Sequence, residues 1–100
     1  MACDMESKID DLPASDIPEG WVLENIDGID RLIREYTFNN FISAMNFSNA
    51  VAELAERHNH HPLIMTEWGK VSLHWWTHTA QGIAPLDLKL AQLCNTLDYS

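Results

Sequence analysis

Leu63-Ile64-Met65-Thr66-Glu67-Trp68-Gly69-Lys70-Val71-Ser72-Leu73-His74-Trp75-Trp76-Thr77-His78 is the stretch that decides the fold class. Leu63 to Glu67 has the length and composition of a short strand. Trp68-Gly69-Lys70 supplies a turn. Val71 to His78 then alternates strictly, with Val71, Leu73, Trp75 and Thr77 on one face and Ser72, His74, Trp76 and His78 on the other. Successive strand side chains point to opposite sides, so this pattern predicts a hairpin whose second strand has a core face and an outer face.

Upstream, the period changes. Phe41, Ala44/Met45, Ser48, Val51/Ala52 and Ala55 recur at helical spacing, with Glu53, Glu56 and Arg57 left for solvent. Asn39-Asn40 is a helix-start signal, and Asn59 suits the helix end. Pro62 biases His61 toward an extended backbone. Further back, Trp21 to Ile26 and Arg31 to Phe38 read as two strands joined at Asp27-Gly28. Downstream, Gln81-Gly82 is a loop and Pro85 opens a last helix. Asp87 is placed to favour that helix's N-terminus, and Leu86, Leu90, Leu93 and Leu97 form its apolar stripe. The order β-β-α-β-β-α predicts an α+β domain, a four-stranded antiparallel sheet with helices packed on one face.

The chain has 100 residues and a formal charge of −9. Nine carboxylates and a single base, Lys8, fall within residues 1–30, so the acidity belongs to a leader. Residues 1–19, broken by Pro13 and Pro18, are expected to be loosely ordered; residues 20–100 form the single domain. Such acidity disfavours nucleic acid, which selects Lys and Arg, and disfavours anionic lipid. The chain has no run of about 18 apolar residues, so no membrane span is expected, and no secretory pattern opens the chain. A cytoplasmic protein with free thiols at Cys3 and Cys94 is expected.

All five histidines lie between residues 58 and 78: His58, His60, His61, His74 and His78. On a strand, His74 and His78 would stand roughly 13 Å apart, too far to share one metal ion. Acid–base chemistry suits them better, because imidazole exchanges protons near neutral pH. His60 and His61 point to opposite sides of an extended backbone. His78, on the outer face beside the flat ring of Trp76, completes a candidate pocket for a planar heteroaromatic. His58 is expected to face the helix C-terminal dipole, and His74 to be an exposed strand residue.

The string Glu56-Arg57-His58-Asn59-His60-His61-Pro62 resembles the Glu-x-x-x-His-His-Pro signature of the pterin-4a-carbinolamine dehydratases. Trp68, Lys70-Val71, Thr77-His78, Gly82 and Asp87 follow at the family's spacing, and Gly20-Trp21 and Phe38-Asn39-Asn40-Phe41 extend the likeness over residues 20–98. Thr66 to Val71 and Trp75 to His78 look like the bacterial branch that serves phenylalanine hydroxylase. The resemblance implies a lyase that removes water from 4a-hydroxytetrahydropterin to give quinonoid dihydropterin, with no metal or organic cofactor. It implies proton transfer by His60 and His78, with His61 tied mainly to substrate binding. Asn59, Trp76, Thr77, Thr79 and Asp87 would contact the pterin or border the site, and Glu56 would orient a histidine. It also implies a homodimer or homotetramer and phenylalanine hydroxylase as a partner. The alternative is a non-catalytic regulatory or dimerisation module binding a hydroxylase or a transcription factor. Trp76 stands where some relatives carry a small hydroxyl residue, Ala84 where a Ser or Thr cap is common, and the proline-broken leader where many have a helix.

Overall fold

A computed structural model describes residues 7–97. The expected strand and helix order is present: β1 (Val22–Ile26), β2 (Ile29–Thr37), α1 (Phe41–His58), β3 (Leu63–Glu67), β4 (Lys70–Trp75) and α2 (Pro85–Cys94). All pairings are antiparallel, in the sheet order β1-β2-β4-β3. The hairpin turns explain the register. Asp27 and Gly28 both take positive φ, 55° and 85°, as a two-residue turn matched to strand twist requires. At Gly69 (φ 75°) an added Cβ would sit 3.2 Å from the carbonyl of Phe38, whose N–H donates to the Gly69 carbonyl.

One face of the sheet carries Leu32, Tyr36, Val71, Leu73 and Trp75 into a core shared with Ala44, Phe47, Val51 and Leu54 of α1 and Leu90, Ala91 and Cys94 of α2. The α2 stripe differs from the expected leucine row. Its buried positions are Asp87, Leu90, Ala91 and Cys94, whereas Leu86, Leu93 and Leu97 are only partly covered. Hydropathy hid a carboxylate and a thiol that lie on the inward face. Phe41, expected on the α1 stripe, is exposed.

Two further expectations need correction. The last strand ends at Trp75, not His78. Thr77 forms an isolated bridge to Gly82, and the Gln81 N–H returns to the Thr77 carbonyl at 2.9 Å, so His78 rides on a tight loop. His74 is only 8% exposed, not a solvent residue. On the sheet face opposite the helices it lies between Ile33 of β2 and Leu63 of β3, and the Arg31 side chain reaches its ring.

The described part of the acidic segment touches the domain. The Ile9 N–H donates to the Ile83 carbonyl at 2.7 Å, and Ile9, Leu12 and Ile17 pack against the core. Its carboxylates at Asp10, Asp11, Asp16 and Glu19 stay exposed. Cys3 lies outside the described residues; Cys94 is a free thiol, and burial pushes its pKa up to about 11. Among the described residues, no helix is long and apolar enough to cross a membrane.

Candidate active site

The end of α1 sets the first histidine. Asn59 adopts the left-handed conformation at φ 50° and ψ 43°, which asparagine tolerates better than most side-chain-bearing residues. The His60 N–H then reaches back to the Ala55 carbonyl at 3.1 Å, and the Asn59 N–H to that of Glu56 at 3.2 Å, a Schellman-type closure. The chain leaves the helix at a defined angle, with Arg57 and His58 in its last turn, favourable against the dipole.

His60 turns inward. It is 0% exposed, stacks on Trp75 with ring centroids 5.7 Å apart, and places Nε2 2.6 Å from Asp87 Oδ1. Asp87, also 0% exposed, is a hub: its Oδ2 accepts from the Thr77 hydroxyl at 2.7 Å and from the Ala84 N–H at 2.9 Å. The last contact is half of a capping box. It supplies from inside the helix the stabilisation that Ala84 cannot give from its side chain. Asp87 therefore caps α2 and holds His60 with the same carboxylate.

His61 turns outward. Its Nε2 lies 2.6 Å from Glu56 Oε2, one turn back on α1. The side chains of this pair are 35% and 74% exposed. The Nδ1 atoms of His60 and His61 are both covered and have no hydrogen-bond partner. With Nε2–H donating to a carboxylate, a neutral ring keeps its lone pair on Nδ1.

The third group forms around Trp76. The exposed His78 ring stacks on it at 4.8 Å and 29°, and the Arg31 guanidinium lies 4.2 Å from its ring centroid. Arg31 Nη1 donates to His74 Nδ1 at 3.1 Å. Burial first, and then the adjacent Arg31 charge, hold His74 below its usual pKa.

The fold thus brings His60, Thr77 and Asp87 into one buried network, His61 onto Glu56, and His78 onto Trp76. The Trp75-Trp76-Thr77-His78 backbone links the first and third groups. Asn59 and Thr79 are exposed beside them. Sequence reasoning missed Arg31 and the burial of His74. The alternation of β4 placed His74 and Trp76 on one face, but only strand pairing shows that β2 delivers an arginine there. Two cavities of about 330 Å³ lie elsewhere, one lined by Glu19, Gly20, Arg34 and Asn95 and the other by Val22, Glu24, Ile33 and Glu35 with Gly20 and Arg34. No group of three or more His, Cys, Asp or Glu among the described residues is arranged to hold a metal ion.

Comparison with known proteins agrees with the family resemblance. Residues 4–97 match the family described as pterin 4 alpha carbinolamine dehydratase. A provisionally named pterin-4-alpha-carbinolamine dehydratase of Hahella chejuensis is 45% identical over 83% of this chain and 73% of its own length. One of Chlorobium luteolum is 50% identical over 76% of this chain and 66% of its own. Among solved structures, a transcriptional coactivator/pterin dehydratase from Brucella melitensis is 31% identical, with a TM-score of 0.68 over 78% of this chain and 81% of that one. The chain belongs to the pterin 4 alpha carbinolamine dehydratase family and, by that membership, is a hydro-lyase.

Proposed function

We propose that this domain dehydrates a 4a-hydroxytetrahydropterin by imidazole acid–base catalysis, returning the tetrahydropterin cofactor of an aromatic amino acid hydroxylase to its cycle. The observation that carries the mechanism is His60, anchored through Nε2 on Asp87 Oδ1 2.6 Å away and left with an unpartnered Nδ1; its neighbour His61 is held in the same way by Glu56. Such anchoring fixes ring orientation and leaves Nδ1 as the nitrogen that can exchange a proton once substrate reaches it. An imidazolium gives its proton to the 4a oxygen, the C4a–O bond breaks and water departs. A neutral imidazole takes the N5 proton, and the N5–H bonding electrons form the N5=C4a double bond. The products are quinonoid dihydropterin and water, and the two protons balance.

We assign the exposed His78 and the buried His60 to the two proton transfers, and His61 with Asn59 and Thr79 to holding the pterin. His60 and Asp87 are covered, so this assignment requires their cover to shift when substrate binds. Thr77 and Asp87 then act through His60, and Trp76 forms a wall of the site. We place the chain in the branch that serves phenylalanine hydroxylase and expect a homodimer or homotetramer. The free edge strand β3, with Leu63 and Met65 exposed, supports that expectation.

A second reading comes from the Brucella protein, whose name joins pterin dehydratase to transcriptional coactivation. Here it would make the domain a binding module for a hydroxylase or a transcription factor. One assay separates the two. Added to a hydroxylase reaction, the protein should speed the loss of carbinolamine absorbance, and a His60→Ala, His78→Ala double variant should abolish the effect. Full turnover in that variant rejects the mechanism, and no acceleration by the wild type favours the binding module.

A further inference from the structure

We propose that Arg31 is a positioning residue for His78, acting through the ring of Trp76. The inference rests on the acid–base reading of His78 given above. His78 sits on an exposed loop between Thr77 and the Gln81 turn, and the Trp76 ring stacks against it at 4.8 Å. An exposed imidazole on a loop samples several rotamers unless a surface holds it. Trp76 can hold it only if its own ring is fixed. That ring follows the end of β4, where ladder pairing has stopped.

Arg31 supplies the fixation from β2. Its guanidinium carbon lies 4.2 Å from the Trp76 ring centroid, a cation–π contact. Arginine is itself located at two points: Nη1 donates to His74 Nδ1 at 3.1 Å, and its backbone pairs with Glu24 of β1. Guanidinium has donors only, so His74 must offer a lone pair at Nδ1. Burial and the Arg31 charge hold the pKa of His74 down, which favours that neutral form. The Arg31 Nε–H is covered and has no acceptor. A covered donor without an acceptor is costly, so hydrogen bonding alone does not account for this placement. The cation–π contact with Trp76 does. A relay of three side chains, Arg31 to Trp76 to His78, thus runs from the sheet face opposite the helices to the loop of the candidate site.

The test combines kinetics with proton NMR of the full-length free protein. Stacking on an indole moves the Hε1 resonance of His78 away from its position in an unstructured peptide. In Arg31→Ala this displacement should collapse while the Hε1 of His60 stays in place. kcat should fall on the order of 10- to 100-fold, the range expected when a reacting group is misplaced by an ångström or less, with a smaller change in KM. Arg31→Lys should recover part of both signals, because an ammonium keeps the charge and loses the planar stack. Arg31→Gln, which keeps much of the stem, replaces the alanine variant if that one unfolds. An unmoved His78 resonance in the charge-free variant overturns the proposal, as does a collapsed displacement with kcat unchanged. His78→Ala, measured alongside, separates this inference from its premise. Turnover intact in that variant ends the acid–base role of His78, while the resonance in Arg31→Ala still decides whether the arginine holds the ring.

Discussion

His60 and His61 are neighbours in the chain, and both set Nε2 2.6 Å from a carboxylate oxygen. Their surroundings are opposite. The His60–Asp87 pair is 0% exposed on both sides, while His61 and Glu56 are 35% and 74% exposed. Equal distances therefore do not mean equal energies. In water-like surroundings an ion pair gains little over hydration, typically below ~1 kcal/mol. In a sealed interior, removing one partner strands the other, and the loss reaches about 3–5 kcal/mol. Asp87 is also hydrogen-bonded to Thr77 and Ala84, so its loss would strand three donors. The buried pair is part of the fold, and the exposed one is an adjustable feature of the surface.

The sharpest way to break this contrast is Asp87→Ala. A loss of about 3–5 kcal/mol would remove much of the ~5–15 kcal/mol that holds a typical domain together. The urea midpoint should fall accordingly. A midpoint close to wild type would mean that the network is not structurally essential. Cys94 lies on the same helix and is buried, with its thiol pushed up to about 11. In a Cys3→Ser background at pH 8 the native thiol should resist alkylation, and Asp87→Ala should expose it.

Asp87→Asn separates positioning from stability. An amide offers one acceptor oxygen where the carboxylate has two. If that oxygen keeps Thr77 and Ala84, the amide N–H faces His60 Nε2 and drives the ring proton to Nδ1. The variant should unfold at higher urea than Asp87→Ala and yet lose most dehydratase turnover. Equal turnover with wild type would show that the tautomer of His60 does not matter.

A smaller effect contrasts both pairs with His74, whose partner is a cation. Burial, then Arg31, lowers its pKa, against weaker opposite pulls from Glu24 and Glu35. The folded state therefore favours the neutral ring. Its contribution to stability is complete above pH 6.5 and is lost as pH falls from there through the lowered folded value. His74→Gln should make the thermal midpoint decline less steeply below pH 6.5 than in the wild type. An identical slope would remove His74 from the acid response. The smallest effect is expected for Glu56→Gln: a stability change below ~1 kcal/mol, with any kinetic change in KM rather than kcat. A loss comparable to that of Asp87→Ala would erase the distinction between the two pairs.

Much of this was legible in order along the chain. Alternation through Val71 to Trp75, the helical period from Ala44 to Ala55, and turn chemistry at Asp27-Gly28 depend on backbone geometry and local burial, so they can be read locally. The Glu56 to Pro62 string and the spacing to Thr77-His78 and Asp87 named the candidate site residues and the family. Environment was not legible. Asp87 reads as a helix-start carboxylate at the edge of the site, with nothing to say it is sealed, yet it faces the core because α2 turns its 87-90-91-94 face inward. His74 reads as exposed, yet strands β2 and β3 close around it. Arg31 reads as one charge on a strand until antiparallel pairing and side-chain reach bring it to Trp76. Local sequence determined the elements, their order and the chemistry they carry, because those follow from short-range geometry. Which histidine is sealed, which is open and which is steadied by a cation came only with tertiary structure, because burial and long-range pairing are properties of the packed chain.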